Sequence, residues 1–248
     1  MIIVGDIGNS ETKICLISSN NKIIKRIIID TKKISSTTLK KCLTKFSLDD
    51  QNIKKCLFCS VVPKAFIIIK FFLNKNYKLK CYELKSLSLR KIIKVNVNYS
   101  QIGSDRLANA IGAINNKDNF IILDLGTATT FDVLVKNSYH GGVIAPGIKL
   151  SLNTLTDKAT LIPSINLKKT NKVIGINTIS AVRSGFFWGY AGLIDNIINL
   201  IKKETKMSFK IIITGGFSNL FKNSTKTKVT LNKDITINGL IRATTLIK

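Results

Sequence analysis

The sequence predicts a duplicated, two-lobed α/β protein, and three stretches carry that expectation. The first is Ile2-Ile3-Val4-Gly5-Asp6-Ile7-Gly8-Asn9-Ser10-Glu11-Thr12-Lys13, an apolar run into a polar turn, followed by the apolar run Ile14 to Ile17. This reads as strand–turn–strand. The second is Phe120-Ile121-Ile122-Leu123-Asp124-Leu125-Gly126-Thr127-Ala128-Thr129-Thr130, with Phe131 to Val135 as its returning strand. Asp6 and Gly8 keep the same offset from Asp124 and Gly126, and self-similarity held in register reports a duplicated architecture. The third is Lys210 to Phe217, a strand running into the paired glycines Gly215 and Gly216.

The turns contain what a phosphate site needs. Gly8 lets the backbone present bare N–H groups at close range. Asn9, Ser10 and Thr12 add neutral donors, Lys13 adds a positive charge, and Asp6 at a strand end can hold a Mg²⁺ that bridges phosphates. Paired glycines at 215 and 216 let a flat ring or ribose approach the backbone. One nucleotide in a cleft between two lobes accommodates all three stretches. Taken alone, the first turn reads equally as a polar β-hairpin.

At 248 residues and 45% hydrophobic, with only 3 prolines, the chain can bury a sizeable core. The formal charge of +25 raises nucleic-acid or anionic-membrane binding. The lysines are dispersed and form no block, so they are read as solvated faces that attract anionic substrates, and nucleic acid is not the expected partner. No signal peptide or transmembrane run is visible, and five scattered cysteines suit a reducing compartment, so a cytoplasmic location is expected. Cys56-Leu57-Phe58-Cys59 lies in a strand pattern that points its cysteines to opposite faces, which argues against a metal or redox pair. His140 is the only histidine, which argues against Ser-His-Asp and zinc chemistry.

In chain order, Asn20-Asn21 turns the first hairpin into Ile23 to Ile29, completing a three-strand meander. Ser36-Thr37-Thr38 caps a helix to about Phe46. Leu57 to Val62 is a strand stopped by Pro63, Ala65 to Leu73 is helical and apolar on nearly all sides, and Leu79 to Leu84 is a strand. Leu87 to Tyr99 is a connector with little pattern. In Gly103-Ser104-Asp105-Arg106, the following Leu107, Ala110, Ile111 and Ile114 share one helical face, so Ser104 or Asp105 starts a helix. Spacing alone favours Asp105 as a cap and Arg106 as surface charge. The functional reading is a carboxylate that accepts a proton from an attacking hydroxyl, beside a cation that attracts a negative group.

The first lobe is expected at 1–114 and the second at 115–248. Gly141-Gly142-Val143-Ile144-Ala145-Pro146-Gly147 is a glycine-rich strand and turn before a helix at 148–157. Thr178 reads as the N-cap of a helix reaching about Lys203, and equally as a hydroxyl aimed at a ligand. Within it Ser184, Gly185, Gly189 and Gly192 form a small-residue stripe open to close helix approach, in the fold or across a dimer. A strand at 228–231 and a last helix from about Asn238 close the chain.

As an ordered set, Asp6-Ile7-Gly8-Asn9-Ser10, Ser60-Val61-Val62-Pro63, Gly103-Ser104-Asp105-Arg106, Asp124 to Thr130, Gly141 to Gly147, Gly175-Ile176-Asn177-Thr178, Ser184-Gly185 with Gly189-Tyr190, and Thr214-Gly215-Gly216 run nearly end to end. The chain in this respect resembles the type III pantothenate kinases, of the actin, heat-shock chaperone and sugar kinase ATPase superfamily. The resemblance implies two duplicated ribonuclease-H-like (actin-like ATPase) lobes with a nucleotide cleft between them. It implies transfer of the γ-phosphate of ATP to the 4′-hydroxyl of pantothenate, the first step of coenzyme A synthesis. By it, Asp6, Ile7, Gly8, Asn9, Ser10, Glu11, Thr12 and Lys13 hold the ATP phosphates, with Asp6 near Mg²⁺, directly or through water. Thr127 contacts ATP, Asp124 binds a monovalent cation (K⁺ or NH₄⁺), and Asp105 is the general base, which overrides the cap reading. Gly103, Ser104, Arg106 and Thr178 line the pantothenate site, and the family is homodimeric. Ser10 stands where the family usually has threonine, and Ser104 where it has alanine. Counting back from Gly103 puts Asn96 at the family's substrate tyrosine and Tyr99 at its proline, so either Tyr99 serves or that contact is lost. Two other readings remain: a non-catalytic nucleotide-binding accessory protein of the same fold, and a kinase for a sugar or another acid.

Overall fold

The first hairpin forms as β1 (Ile2–Ile7) and β2 (Glu11–Ile17), antiparallel, in a computed structural model that describes residues 1–48 and 52–247. Its isoleucines and valines suit a pleated, buried surface. After a turn in which Asn21 takes a left-handed φ of 61°, β3 (Ile23–Asp30) completes the expected meander. The helix α1 (Ser36–Leu43) begins where the Ser35 side chain accepts the Thr38 N–H, and it ends earlier than expected because residues 44–46 tighten into a 3-10 turn. Next, β4 (Lys55–Ser60) runs parallel to β1, and α2 (Pro63–Tyr77) starts on a proline whose fixed φ suits a first helical turn. α2 buries Ala65, Ile69, Phe72 and Leu73 and leaves Ile67 and Phe71 exposed. With β5 (Cys81–Glu83) parallel to β4, the sheet order is β3-β2-β1-β4-β5. Its core gathers Ile3, Ile7, Leu39, Phe58, Ile69 and Phe72.

The connector after β5 holds the short strand β6 (Lys94–Val95) and leads into α3 (Ser104–Ala113). A second series then repeats the first. β7 (Phe120–Leu125) and β8 (Ala128–Val135) are antiparallel, β9 (Ser138–Pro146) follows, and α4 (Ile148–Lys158) and α5 (Thr178–Thr205) are its helices. β10 (Lys210–Thr214) pairs parallel with β7, a one-turn α6 (Ser218–Phe221) follows, and β11 (Val229–Leu231) pairs parallel with β10. The second sheet has the order β6-β9-β8-β7-β10-β11, and apart from the added edge strand β6 it reproduces the order of the first. Asp124 pairs with Thr130 and Thr214 as Asp6 pairs with Lys13 and Cys59, so the duplication read from sequence is present in the topology.

The last helix, α7 (Ile235–Ala243), begins a few residues before the expected Asn238. The chain divides into one unit of Met1–Ile114, Asn137–Tyr139 and Asp234–Lys248, and another of Asn115–Lys136 and His140–Lys233. Within the first unit α7 packs on α3 with backbones touching. A Cβ at Gly239 would sit 1.8 Å from the Ala108 carbonyl oxygen, and one at Gly112 would sit 2.2 Å from that of Ile235. The Arg242 guanidinium donates to the Ile114 carbonyl at 2.6 Å, satisfying the C-terminal end of α3. Lys94–Val95 of β6 pair with Ser138–Tyr139. The two cysteines of the C-x-x-C do part company. Cys56 joins the core beside Cys81, Cys59 faces Asp6, and all five thiols are free.

Candidate active site

At the end of β1, Asp6 is half-buried beside Cys59 of β4, whose thiol donates to it at 3.5 Å. Its pKa is raised to about 6, first by burial and then by the Asp105 charge, with Lys13 and the Cys59 thiol pulling the other way. The turn that follows closes with the Gly8 N–H donating to the Glu11 carbonyl at 3.0 Å. Asn9, Ser10 and Glu11 are exposed at its tip, and Thr12 is buried beneath it. Thr31 bonds to the same tip from the end of β3.

Asp105 is the second residue of α3, and Gly103 takes the cap position without any side-chain cap. The carboxylate of Asp105 accepts the Arg106 N–H at 2.8 Å, at the positive end of the helix. A Cβ at Gly103 would lie 2.4 Å from Asp105 Oδ1, so a larger residue there would push the carboxylate aside. Burial nevertheless wins and pushes the Asp105 carboxyl above its ordinary range, with the Arg106 N–H and charge opposing. The fold thus brings Asp6 and Asp105, nearly a hundred residues apart, into electrostatic contact. Arg106 lies over the Tyr139 ring, 5.9 Å from its centre.

Ser104 is buried, and its hydroxyl donates to Glu83 Oε1. Glu83 Oε2 accepts the Lys85 N–H at 2.6 Å, and Lys85 Nζ donates to the Ser100 and Ile102 carbonyls at 3.0 Å each. Tyr99 lies under Lys85, 5.3 Å from ring centre to Nζ, and burial pushes its phenol up. It borders a cavity of about 310 Å³ with Lys85, Leu87, Arg90 and Val95. Glu83, Lys85 and Cys59 were not anticipated as site residues. Cys59 meets Asp6 through strand pairing, Glu83 meets Ser104 and Lys85 meets the 100–102 turn only once the chain has folded back, and the one local signal was the acid that closes β5.

In the second unit, Asp124 closes β7 as Asp6 closes β1. Gly215 has a φ of 88°, and a Cβ there would lie 2.5 Å from Asp124 Oδ1 and from the Leu125 carbonyl carbon, so only glycine fits. A Cβ at Gly147 would lie 2.0 Å from the Thr127 carbonyl oxygen. Thr127 itself is exposed on the turn, and nothing stands within 4 Å of a Cβ at Gly216. Thr178 is not the N-cap that its type and place suggested. Asn177 caps α5, accepting the Ser180 N–H at 2.9 Å while Ser180 Oγ accepts the Asn177 N–H at 3.1 Å. The cap is therefore complete without Thr178, whose residue is exposed at the helix start.

A divalent cation with phosphate ligands suits this chemistry. Mg²⁺ keeps several waters and takes one or two carboxylates. Asp6 is such a carboxylate, half-buried, next to a second acid and short of compensating charge. Among the described residues no group of three or more His, Cys, Asp and Glu could hold a metal unaided. No helix among them is long and apolar enough to cross a membrane.

Twin ribonuclease-H-like sheets, each with an acid closing its first strand before a glycine turn, define the actin-like ATPase and sugar kinase class of fold. A ROK family glucokinase from Streptomyces griseus, solved in complex with glucose and AMPPNP, shares that fold, with a TM-score of 0.55 at 11% identity over 99% of this chain and 98% of its own. The family profile "Type III pantothenate kinase" matches residues 2–200. A type III pantothenate kinase of Pelagibacter ubique is 77% identical over 248 residues, covering 100% of both chains. Another, from a Sulfurihydrogenibium species, is 35% identical over 97% of this chain and 98% of its own. The chain belongs to the type III pantothenate kinase family.

Proposed function

We propose that this kinase transfers the γ-phosphate of ATP to the 4′-hydroxyl of pantothenate, the entry step of coenzyme A synthesis. The observation that carries the reading is the approach of Asp105 to Asp6: a proton acceptor beside a candidate metal carboxylate, in a member of this family. Residues Asp6 to Lys13 take the triphosphate of ATP through the backbone and outer side chains of the turn, the buried Thr12 hydroxyl being directed inward to Thr31. Magnesium, when bound at Asp6, supplies charge neutralisation. Gly103, Ser104, Arg106, Tyr99 and Thr178 line the acceptor, and Thr127 contacts the nucleotide. The 4′-hydroxyl gives its proton to Asp105, its oxygen forms the new P–O bond, and the bond to the β-phosphate oxygen breaks to release ADP. A carboxyl held above its ordinary proton affinity is the better acceptor for that proton. Alignment of the hydroxyl on the γ-phosphate supplies most of the remaining acceleration.

Two finer assignments belong to the same proposal. Asp124, flanked closely by Gly126 and Gly215, is assigned a monovalent cation, potassium or ammonium. α5 is assigned a homodimer contact, because Gly185, Gly189 and Gly192 face open space and Ile176, Ile179 and Trp188 nearby are exposed. The test is ADP release with pantothenate against a panel of sugars, in potassium and then in sodium. Pantothenate as best acceptor, with loss of rate in sodium, is expected. A sugar as best acceptor, or no ADP with any acceptor, overturns the reading, and equal rates in both salts remove the cation from Asp124.

A further inference from the structure

Thr31 belongs to none of the motifs and heads the 3-10 turn (Thr31–Lys33) that follows β3. It is nevertheless bonded three times to the tip of the first hairpin. Its N–H donates to the Ser10 carbonyl at 3.0 Å, its hydroxyl donates to the Gly8 carbonyl at 2.7 Å, and the Thr12 hydroxyl lies 2.9 Å away. Each hydroxyl has one proton to give. With the Thr31 proton on Gly8, Thr12 must be the donor to Thr31. The result is a directed chain, Thr12 to Thr31 to the Gly8 carbonyl, through two buried side chains. In such surroundings hydrogen bonds strengthen and polarise one another.

This chain dictates where a neighbouring donor points. The Gly8–Asn9 peptide is trans, so the Asn9 N–H is directed opposite to the Gly8 carbonyl. Fixing that carbonyl on buried Thr31 turns the Asn9 N–H towards the exposed side of the tip, where the Asn9 and Ser10 side chains lie. Backbone N–H groups presented in this way are the anion-holding element of a phosphate turn. The second hairpin supplies an internal contrast. Thr129 pairs with Leu125 as Thr12 pairs with Ile7. It too is fully buried, but its hydroxyl has no hydrogen-bond partner. The lock is a property of the first hairpin alone.

We infer that Thr31 is a positioning residue for the nucleotide: without touching the ligand, it sets the first hairpin in its phosphate-holding conformation. This rests on the reading of that hairpin as an ATP site. The test combines steady-state kinetics with calorimetric binding of a non-hydrolysable ATP analogue with magnesium. Thr31→Val keeps the shape and removes both hydroxyl bonds, whereas Thr31→Ser keeps both. Thr31→Val is expected to raise KM for ATP and Kd for the analogue about tenfold, the effect of one to two neutral hydrogen bonds. KM for pantothenate should stay within about twofold, and Thr31→Ser should restore nucleotide affinity to near wild type. Thr12→Val, which removes only the first link, should shift nucleotide affinity in the same direction by less, and serves if Thr31→Val does not fold. Unchanged analogue affinity in the valine variants, equal damage in Thr31→Ser, or a parallel rise in both KM values would overturn the inference. A wild type that binds the analogue yet does not phosphorylate pantothenate would instead overturn the proposed activity and leave the Thr31 comparison intact.

Discussion

Asp6 and Asp105 are two acids that the fold places where neither ionises at its usual cost. Burial raises both, the Asp105 charge adds to the rise at Asp6, and Lys13 opposes it at Asp6 as Arg106 does at Asp105. Buried acids of this kind stabilise the folded chain less than neutral replacements would, a cost in keeping with the roles proposed for them. Asp6→Asn is therefore expected to raise the melting temperature of the ligand-free protein by about 2–4 °C at pH 7, on the scale of 1 kcal/mol for a chain of this size, while abolishing turnover. A lower melting temperature in differential scanning calorimetry would show Asp6 to be structural. Asp105→Asn is expected to keep nucleotide binding and lower kcat roughly a hundredfold or more. The pH profile carries the sign of the shift. Because the folded-state pKa of Asp105 lies above its ordinary 3.8, the protonated and inactive form persists to higher pH, so kcat/KM should rise with pH along an acid limb centred above 3.8. A limb centred at or below that value would contradict the buried environment.

At the scale of elements, what could be read from the sequence was what neighbours in the chain decide. An apolar run, Asp-x-Gly and a second apolar run spell a strand–turn–strand, and both hairpins formed, the second with a turn one residue shorter than the first. Asp105 at a helix start was equally legible, because Leu107, Ala110 and Ile111 declare the buried face of α3. Partners that arrive through strand pairing were not. Glu83 meets Ser104, Thr31 meets Gly8, and Cys59 meets Asp6 only after β4 and β5 have docked or β3 has turned back. The cap of α5 went to Asn177 rather than Thr178, a one-residue choice that both side chains could satisfy and only the backbone dihedrals decide. The crossing of α3 and α7 was also silent, since Gly112 and Gly239 look like helix breakers until the helices touch. Gly239→Ala should accordingly cost about 1–3 kcal/mol in urea unfolding, as overpacked sites do. An unchanged midpoint would mean that the helices can separate without loss.

For the whole molecule, the +25 charge is consistent with attraction of a polyanionic substrate rather than with a nucleic-acid footprint, since the lysines are dispersed over the whole chain. Diffuse attraction is screened within about 8 Å at physiological ionic strength, so KM for ATP should rise between low and physiological salt while kcat changes little. The open glycine stripe on α5 makes a separate prediction. Gly189→Glu should shift sedimentation from dimer to monomer, and a wild type that already sediments as a monomer would remove the dimer contact from the account. The central claim, that Asp105 readies an alcohol of pantothenate for the γ-phosphate of ATP, is tested most directly by ³¹P NMR of the reaction mixture, comparing wild type with Asp105→Asn. The account predicts a phosphate monoester on the primary hydroxyl of pantothenate, formed in step with ADP by the wild type and at a small fraction of that rate by the variant. ADP without the monoester, or the monoester formed equally fast by Asp105→Asn, would contradict it.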